Sequence, residues 1–246
     1  RESLQYIDVH GTIIIGEGEK DDAPMLYNGE TMGNGNGPRV DIAVDPVEGT
    51  NLLALGRPNA IATIAASDQG GMWNPGSSFY MNKLVVGEKA KNAIDITKSV
   101  TENLNRIAEA EGKKVNDLMV YILDKPRHKA MIEEIRKAGA RITLHTDGDV
   151  LGALLAAMPD TGVDVLMGIG GTPEGVLAAC AVKALNGGMQ GMRAPQLESE
   201  IANLKKENIN INEVIHLDTL IKSENAVFSA TGITSGGYLD GVKFHE

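Results

Sequence analysis

The sequence predicts an α/β protein: an N-terminal α+β part, then a C-terminal part built on a mainly parallel sheet. Three observations predict it. From Leu118 onward, short apolar runs alternate with helix-length amphipathic segments, the pattern of βα units with short connections. Before that point, short β-like runs bracket glycine-rich loops. The chain of 246 residues is long enough to bury a core as one large domain or two small ones, at ~150 residues per domain.

The elements follow in order. Thr12–Ile15, Val40–Val44, Ala60–Ala66 and Lys83–Val86 read as strands. Gly33-Asn34-Gly35-Asn36-Gly37-Pro38 is a loop by composition. Thr101 opens a helix with Leu104, Ile107 and Ala108 on one face, closed by Gly112. Three βα units come next: Leu118–Leu123 with Arg127–Ala138, Arg141–Leu144 with Asp149–Met158, and Val163–Met167 with Pro173–Leu185. A helix at Leu197–Lys206 and strands near Val214–Leu217 and Ala226–Ala230 finish the chain. A boundary near Gly112–Asn116 divides it into residues 1–115 and 116–246. Ligands of parallel sheets sit at the carboxyl ends of the strands. That directs attention to Asp124–His128, His145–Asp149 and Gly168–Glu174.

Composition excludes several function classes. The net charge is −10, with no basic footprint for nucleic acid or an anionic membrane surface. The longest apolar run, Val150–Met158, is far too short to span a bilayer. Cys180 is the one cysteine, so there is no disulfide framework and no Cys-rich zinc site. Its apolar surroundings mark it as a small core residue. No signal peptide is visible, and a reducing cytoplasm is the expected location. The first residue is Arg1 rather than Met, so the native start is expected upstream.

Acidic residues concentrate at one end. Residues 17 to 48 hold Glu17, Glu19, Asp21, Asp22, Glu30, Asp41, Asp45 and Glu48 against Lys20 and Arg39, which is −6 of the net −10. A solvated acidic face is the ordinary explanation of such a run. Two features argue otherwise. Ile13-Ile14-Ile15 runs straight into Gly16-Glu17-Gly18-Glu19, so a strand end flanked by glycines delivers acids into a crevice. Val40–Val44 likewise delivers Asp45, after which Pro46 and Gly49 set a tight turn that presents Glu48 and Thr50. Convergent carboxylates repel unless a cation lies between them. Oxygen-only ligands select Mg²⁺ or Mn²⁺ over zinc, and two such ions can clamp a phosphate and acidify a water.

Asp45-Pro46-Val47-Glu48-Gly49-Thr50 resembles the signature of the lithium-sensitive, metal-dependent phosphatases. That superfamily includes inositol monophosphatases and fructose-1,6-bisphosphatases. Ile15-Gly16-Glu17-Gly18-Glu19, followed by Ala23-Pro24-Met25-Leu26-Tyr27, narrows the resemblance to bacterial class II fructose-1,6-bisphosphatases, including the dual fructose/sedoheptulose enzymes. Lys125-Pro126-Arg127-His128, Asp147-Gly148-Asp149, Gly168–Gly175 and Ser229–Thr234 extend it over essentially the whole chain.

The resemblance implies a layered α-β-α-β-α sugar-phosphatase sandwich. It also implies a cytoplasmic, gluconeogenic hydrolase that removes the 1-phosphate of fructose 1,6-bisphosphate with Mg²⁺ or Mn²⁺, working as a dimer or tetramer. It implies metal ligands at Glu17, Asp45, Glu48 and Glu174. Thr50 would orient or deprotonate the attacking water, with Asp21 and Glu48 also in the catalytic set. Substrate would meet Glu48, Gly49, Thr50, Tyr80, the pair Arg127 and His128, Asp147, Asp149 and Gly171. A sedoheptulose-bisphosphatase or dual preference, an inositol-phosphatase-like specificity, and a non-catalytic phosphosugar-binding regulator are the other readings.

Without the family, the residues read more plainly. Thr172-Pro173-Glu174 is a helix start with Thr as N-cap and an acid in the first turn. Asp147-Gly148-Asp149 is a turn plus N-cap. Arg127 suits bidentate phosphate binding. His10, His145, His216 and His245 lack ligand spacing and are expected to be structural. The glycine spacing of Gly168-Ile169-Gly170-Gly171 does not fit a dinucleotide site.

Overall fold

A computed structural model describes residues 2–17 and 25–244 of the chain. Its strands are β1 (His10–Ile15), β2 (Thr31–Met32), β3 (Arg39–Glu48), β4 (Ile61–Asp68), β5 (Tyr80–Val86), β6 (Met119–Leu123), β7 (Arg141–His145), β8 (Val165–Gly171), β9 (Gly188–Arg193), β10 (Val214–His216) and β11 (Ala226–Gly232). The helices are α1 (Thr50–Ala54), α2 (Val100–Glu111), α3 (Lys129–Ala138), α4 (Asp149–Ala157), α5 (Thr172–Ala184), α6 (Glu198–Lys206) and α7 (Leu217–Leu220). The mixed α/β class expected from the sequence is what is found.

The elements form two compact units, one of residues up to Asn74 and from Asp218 onward, the other Pro75–Leu217. Neither break falls at the expected 115/116. β11 returns to pair along nearly all of β4, from Ala226↔Ser67 to Gly232↔Ile61. β5, which the sequence groups with the N-terminal part, is a middle strand of the second unit's sheet. Pairings so remote in sequence leave no local signal.

The first unit is a sheet of order β11-β4-β3-β1-β2. β1 and β3 run parallel and the other neighbours antiparallel. Ile13, Leu26, Met32, Ile42 and Val44 form its core. β3 does not turn after Asp45 as expected. It continues to Glu48 through a bulge, in which three steps along β3 match two along β4 (Asp45↔Thr63, Glu48↔Ile61). Pro46 lies in that bulge, where its missing N–H costs no ladder hydrogen bond. The turn comes at Gly49, whose φ of 82° and ψ of 48° suit a residue without Cβ.

The second unit is a three-layer sandwich around a sheet of order β10-β9-β5-β8-β6-β7. The three βα units build its parallel portion, β6 with β7 and β8. β5 pairs antiparallel with β8 and β9, and β10 with β9. So this sheet is mixed rather than mainly parallel. β9 was not legible because Gly188-Met189-Gln190-Gly191-Met192-Arg193 has no β-branched or aromatic residue.

Alternation sorts the faces. Leu84, Val86, Val120, Ile122, Val165 and Met167 pack with Leu104 and Ile107 of α2 and Ile132 and Ile135 of α3. Each buried Leu or Ile contributes about 1.5–3 kcal/mol. On the other face, Tyr121 and Leu166 lie against α4. A Cβ on Gly152 would stand 2.4 Å from Tyr121 Cδ1 and 2.7 Å from Leu166 Cδ1. Met81 and Lys83 lie against α5, where a Cβ on Gly175 would meet Met81 Sδ and Lys83 Cε at 3.1 Å each. Cys180 is fully buried in α5, and burial pushes its thiol up to about 12, so it is the inert core residue expected. Ser99 caps α2 by accepting the Glu102 amide at 3.1 Å, and Gly112 and Gly139 close α2 and α3 in the left-handed region.

Candidate active site

In the second unit, the carboxyl ends of the parallel strands gather most of the expected substrate residues. β8 outlasts its neighbour there. β6 pairs with β8 at Val120↔Val165 and Tyr121↔Leu166. Beyond that, side chains of the turn Pro126–His128 take over. The Ile169 amide donates to His128 Nε2 at 2.7 Å. The Ile169 carbonyl accepts from Arg127 Nε at 2.9 Å. His128 Nδ1 lies 2.7 Å from the Leu123 carbonyl, so the ring is the neutral tautomer with its proton on Nδ1. Burial, helped by the nearby Arg127 charge, holds its pKa below the ordinary value. His128 is therefore placed differently from the expected phosphate-binding pair: both ring nitrogens are already bonded to backbone.

Arg127 keeps the role open. It is exposed, its Nε is used on Ile169, and its guanidinium carbon lies 5.5 Å from the Tyr80 ring centroid, a cation–π contact. The two terminal nitrogens donate no hydrogen bond to the described residues, which leaves them for an anion. Tyr80 stands directly across the ladder from Gly171. Its backbone is fixed by Glu200 of α6, a fully buried carboxylate. Glu200 Oε1 accepts the Phe79 and Tyr80 amides at 2.6 and 2.8 Å, and Oε2 accepts the Gln196 amide at 3.0 Å. The sequence reading missed Glu200. Its signal was an acid on the apolar side of α6, three residues after Leu197 and four before Leu204.

Asp149 opens α4, but the N-cap is Gly148 in the left-handed region, with no side-chain cap. The Asp149 carboxylate instead binds Lys83, Oδ2 to Nζ at 2.6 Å. Lys83 was also missed; a lysine centred in an apolar strand is its trace. Asp147 is half-buried beside them in sequence, in the loop before Gly148. His145 stacks on Tyr121, centroids 3.9 Å apart and planes 7° apart, and burial lowers its pKa.

Glu174 lies in the first turn of α5, where the helix dipole favours a carboxylate. Its Oε2 is buried and has no hydrogen-bond partner among the described residues. The carboxylate folds over Gly171, whose Cβ would fall 1.7 Å from Oε2. The N-cap of α5 is Gly171, not Thr172. Thr172 is fully buried, its hydroxyl 3.2 Å from that of Ser78 and its amide donating to the Phe79 carbonyl at 2.9 Å.

In the first unit, the parallel register His10↔Arg39 to Ile15↔Ala43 sets two strands side by side. Glu17 follows Ile15 by two residues and Asp45 follows Ala43 by two. Asp45 Oδ1 accepts the Val47 amide at 3.0 Å. Glu48 is buried. Thr50 is exposed and begins α1 without capping it. Two acids of the cluster have structural roles: Glu30 accepts the Leu26 amide, and Asp41 accepts the Met72 amide at 3.1 Å. Asp21, Glu19, Asp22 and His245 lie outside the described residues. Among the described residues, no group of three or more His, Cys, Asp or Glu is placed to hold a metal ion, and no helix is long and apolar enough to cross a membrane.

Comparison with known proteins places the chain. The family described as bacterial fructose-1,6-bisphosphatase, glpX-encoded, matches residues 1–246. The chain is 45% identical to the fructose-1,6-bisphosphatase 1 class 2 of Escherichia coli K12, over 97% of this chain and 75% of that protein. It is similar to the same degree and extent to the class 2 enzyme of Shigella flexneri. The chain belongs to the glpX-encoded family of bacterial fructose-1,6-bisphosphatases.

Proposed function

We propose that this chain is a phosphoric monoester hydrolase that converts fructose 1,6-bisphosphate to fructose 6-phosphate and phosphate, the reaction used in gluconeogenesis. The observation that carries this reading is the family match across the whole chain. The second unit supports it by bringing Tyr80, Arg127, Asp149 and Gly171 to one end of its sheet. There the free nitrogens of Arg127 bind a phosphate, the Tyr80 ring backs the guanidinium, and Asp149 accepts from a sugar hydroxyl.

The family implies a divalent cation, and the donors fit one. All are carboxylate oxygens, suited to Mg²⁺ or Mn²⁺. Glu174 Oε2 is a buried carboxylate oxygen without a hydrogen bond from the described residues. Glu17, Asp45 and Glu48 in the first unit and Glu174 in the second are the residues that would hold metal. Bound cations neutralise phosphate charge and acidify a water. Thr50, exposed after Gly49, is the hydroxyl that would orient the attacking water.

Phosphate release tests this reading. Fructose 1,6-bisphosphate, sedoheptulose 1,7-bisphosphate and an inositol monophosphate are compared with Mg²⁺, with Mn²⁺ and after chelation. Turnover of the fructose substrate that needs metal is expected. Equal turnover of the sedoheptulose substrate assigns a dual enzyme. Binding without release of phosphate from any of the three overturns the catalytic reading.

A further inference from the structure

We infer that Lys83 is a positioning residue: from the middle of the sheet it fixes the Asp149 carboxylate so that one oxygen faces the substrate. The inference deepens the reading that Asp149 binds the sugar, and it rests on that reading. Lys83 lies on β5, between β8 and β9. Its side chain is 2% exposed, that of Asp149 11%, so the carboxylate is the outer member of the pair. Oδ2 takes the ammonium at 2.6 Å, while Oδ1 receives no bond from the described residues.

The two members differ in how firmly the chain holds them. Lys83 is paired on both sides, to Gly168 in β8 and to Gly191 in β9. Asp149 follows Gly148, a left-handed residue with φ of 89°, and begins α4 without a cap. The lysine thus ties a carboxylate at the start of α4 to a strand paired on both sides.

The glycines around the pair are shaped to it. A Cβ on Gly170 would stand 1.8 Å from Asp149 Oδ2 and 3.2 Å from Lys83 Nζ. A Cβ on Gly175 would stand 3.1 Å from Lys83 Cε. The backbone at Gly170 therefore lies directly on the ion pair. A buried pair gives little net stability over apolar packing, so what distinguishes this one is the carboxylate oxygen it holds outward.

A double-mutant cycle on the full chain tests this, with KM, kcat and Tm measured for wild type, Lys83→Met, Asp149→Asn and the double variant. Each single substitution is expected to raise KM for fructose 1,6-bisphosphate by about tenfold or more, the scale of a hydrogen bond to a charged group, with kcat falling by less. Because Lys83 acts through Asp149, the double variant should match Asp149→Asn within about threefold. KM of Lys83→Met close to wild type, or effects that multiply in the double variant, would overturn the inference. If Lys83→Met does not fold, the double variant, which leaves no lone buried charge, is compared with Asp149→Asn alone: equal KM upholds the inference and a further tenfold rise overturns it. Wild-type protein that releases no phosphate refutes the underlying activity, and the inference with it. An active wild type with unaltered KM in Asp149→Asn refutes the inference alone.

Discussion

The amide of Ile169 is held by His128 Nε2 at 2.7 Å, where a neighbouring strand would otherwise supply the acceptor. The ring can do this only while neutral, and burial keeps its pKa below the ordinary 6.5. Protonation would set a ring N–H against the Ile169 N–H. Arg127 opposes the added charge and Asp149 favours it, with desolvation the larger influence.

The sign follows. The folded pKa lies below the unfolded one, so the unfolded chain binds more protons as pH falls through about 6.5 and below. Stability is full above that value and is lost on acidification. Tm should fall between about pH 7.5 and about pH 5.5, and His128→Asn should flatten the slope. Some slope should remain, because burial lowers the pKa of His145 as well. An identical Tm-against-pH slope in wild type and His128→Asn would remove His128 as its source.

Glu174→Gln separates stability from function. A buried carboxylate oxygen without a hydrogen-bond partner among the described residues is unfavourable, and the helix dipole offsets part of that cost. The neutral amide of equal size removes that cost, so Tm of the metal-free variant should equal or exceed that of wild type. Mn²⁺ should raise Tm of wild type more than that of the variant, since a ligand that binds only the folded state stabilises in proportion to its affinity. Turnover should drop strongly. Equal Mn²⁺-induced shifts in both proteins would exclude Glu174 as a ligand.

Much of this was legible in the sequence because it is local. The βα units and the glycine closures of α2 and α3 follow from periodicity and turn chemistry, whereas Tyr80, Arg127, Asp149 and Gly171 were singled out through the family resemblance. What was not legible depends on remote partners. β11 is assigned by β4, which lies more than a hundred residues earlier in the chain. The backbone bonding of His128 was not legible because a sequence shows no backbone groups for a ring to bind, and the Leu123 carbonyl and the Ile169 amide both reach it. Lys83 and Glu200 were missed because a charged residue in an apolar pattern looks like an interruption until its buried partner is known. The acidic run overstated the site, since Glu30 and Asp41 satisfy backbone amides.

Gly152→Ala tests the packing of α4 on the sheet. An added methyl would meet Tyr121 Cδ1 at 2.4 Å, Tyr121 Cε1 at 2.5 Å and Leu166 Cδ1 at 2.7 Å. Alanine favours a helix by up to about 1 kcal/mol over glycine, but overpacking costs typically 1–3 kcal/mol. Tyr121 is not free to retreat, being stacked on His145 and bonded through its hydroxyl to the Gly148 carbonyl at 2.7 Å. Net destabilisation is expected in denaturant titration. A more stable variant would mean that α4 can shift outward at no cost.

Thr50 distinguishes proton relay from architecture. The competing explanation of this residue is a hydroxyl that caps α1. The cap position belongs to Gly49, and no side-chain cap bond is made. α1 spans only Thr50–Ala54, so little stability depends on it. Thr50→Ala should therefore leave Tm nearly unchanged. If the hydroxyl relays a proton from the attacking water, kcat should fall by roughly 10²–10⁴, the range for losing a proton-transfer group. Thr50→Ser keeps the hydroxyl and should retain part of the rate. Mn²⁺ affinity should change little in either variant, because every carboxylate ligand remains. Titration of Mn²⁺, kcat and Tm on both variants decides it: a Thr50→Ala enzyme that turns over like wild type ends the relay assignment, and one that loses Mn²⁺ affinity makes Thr50 part of the metal's environment instead.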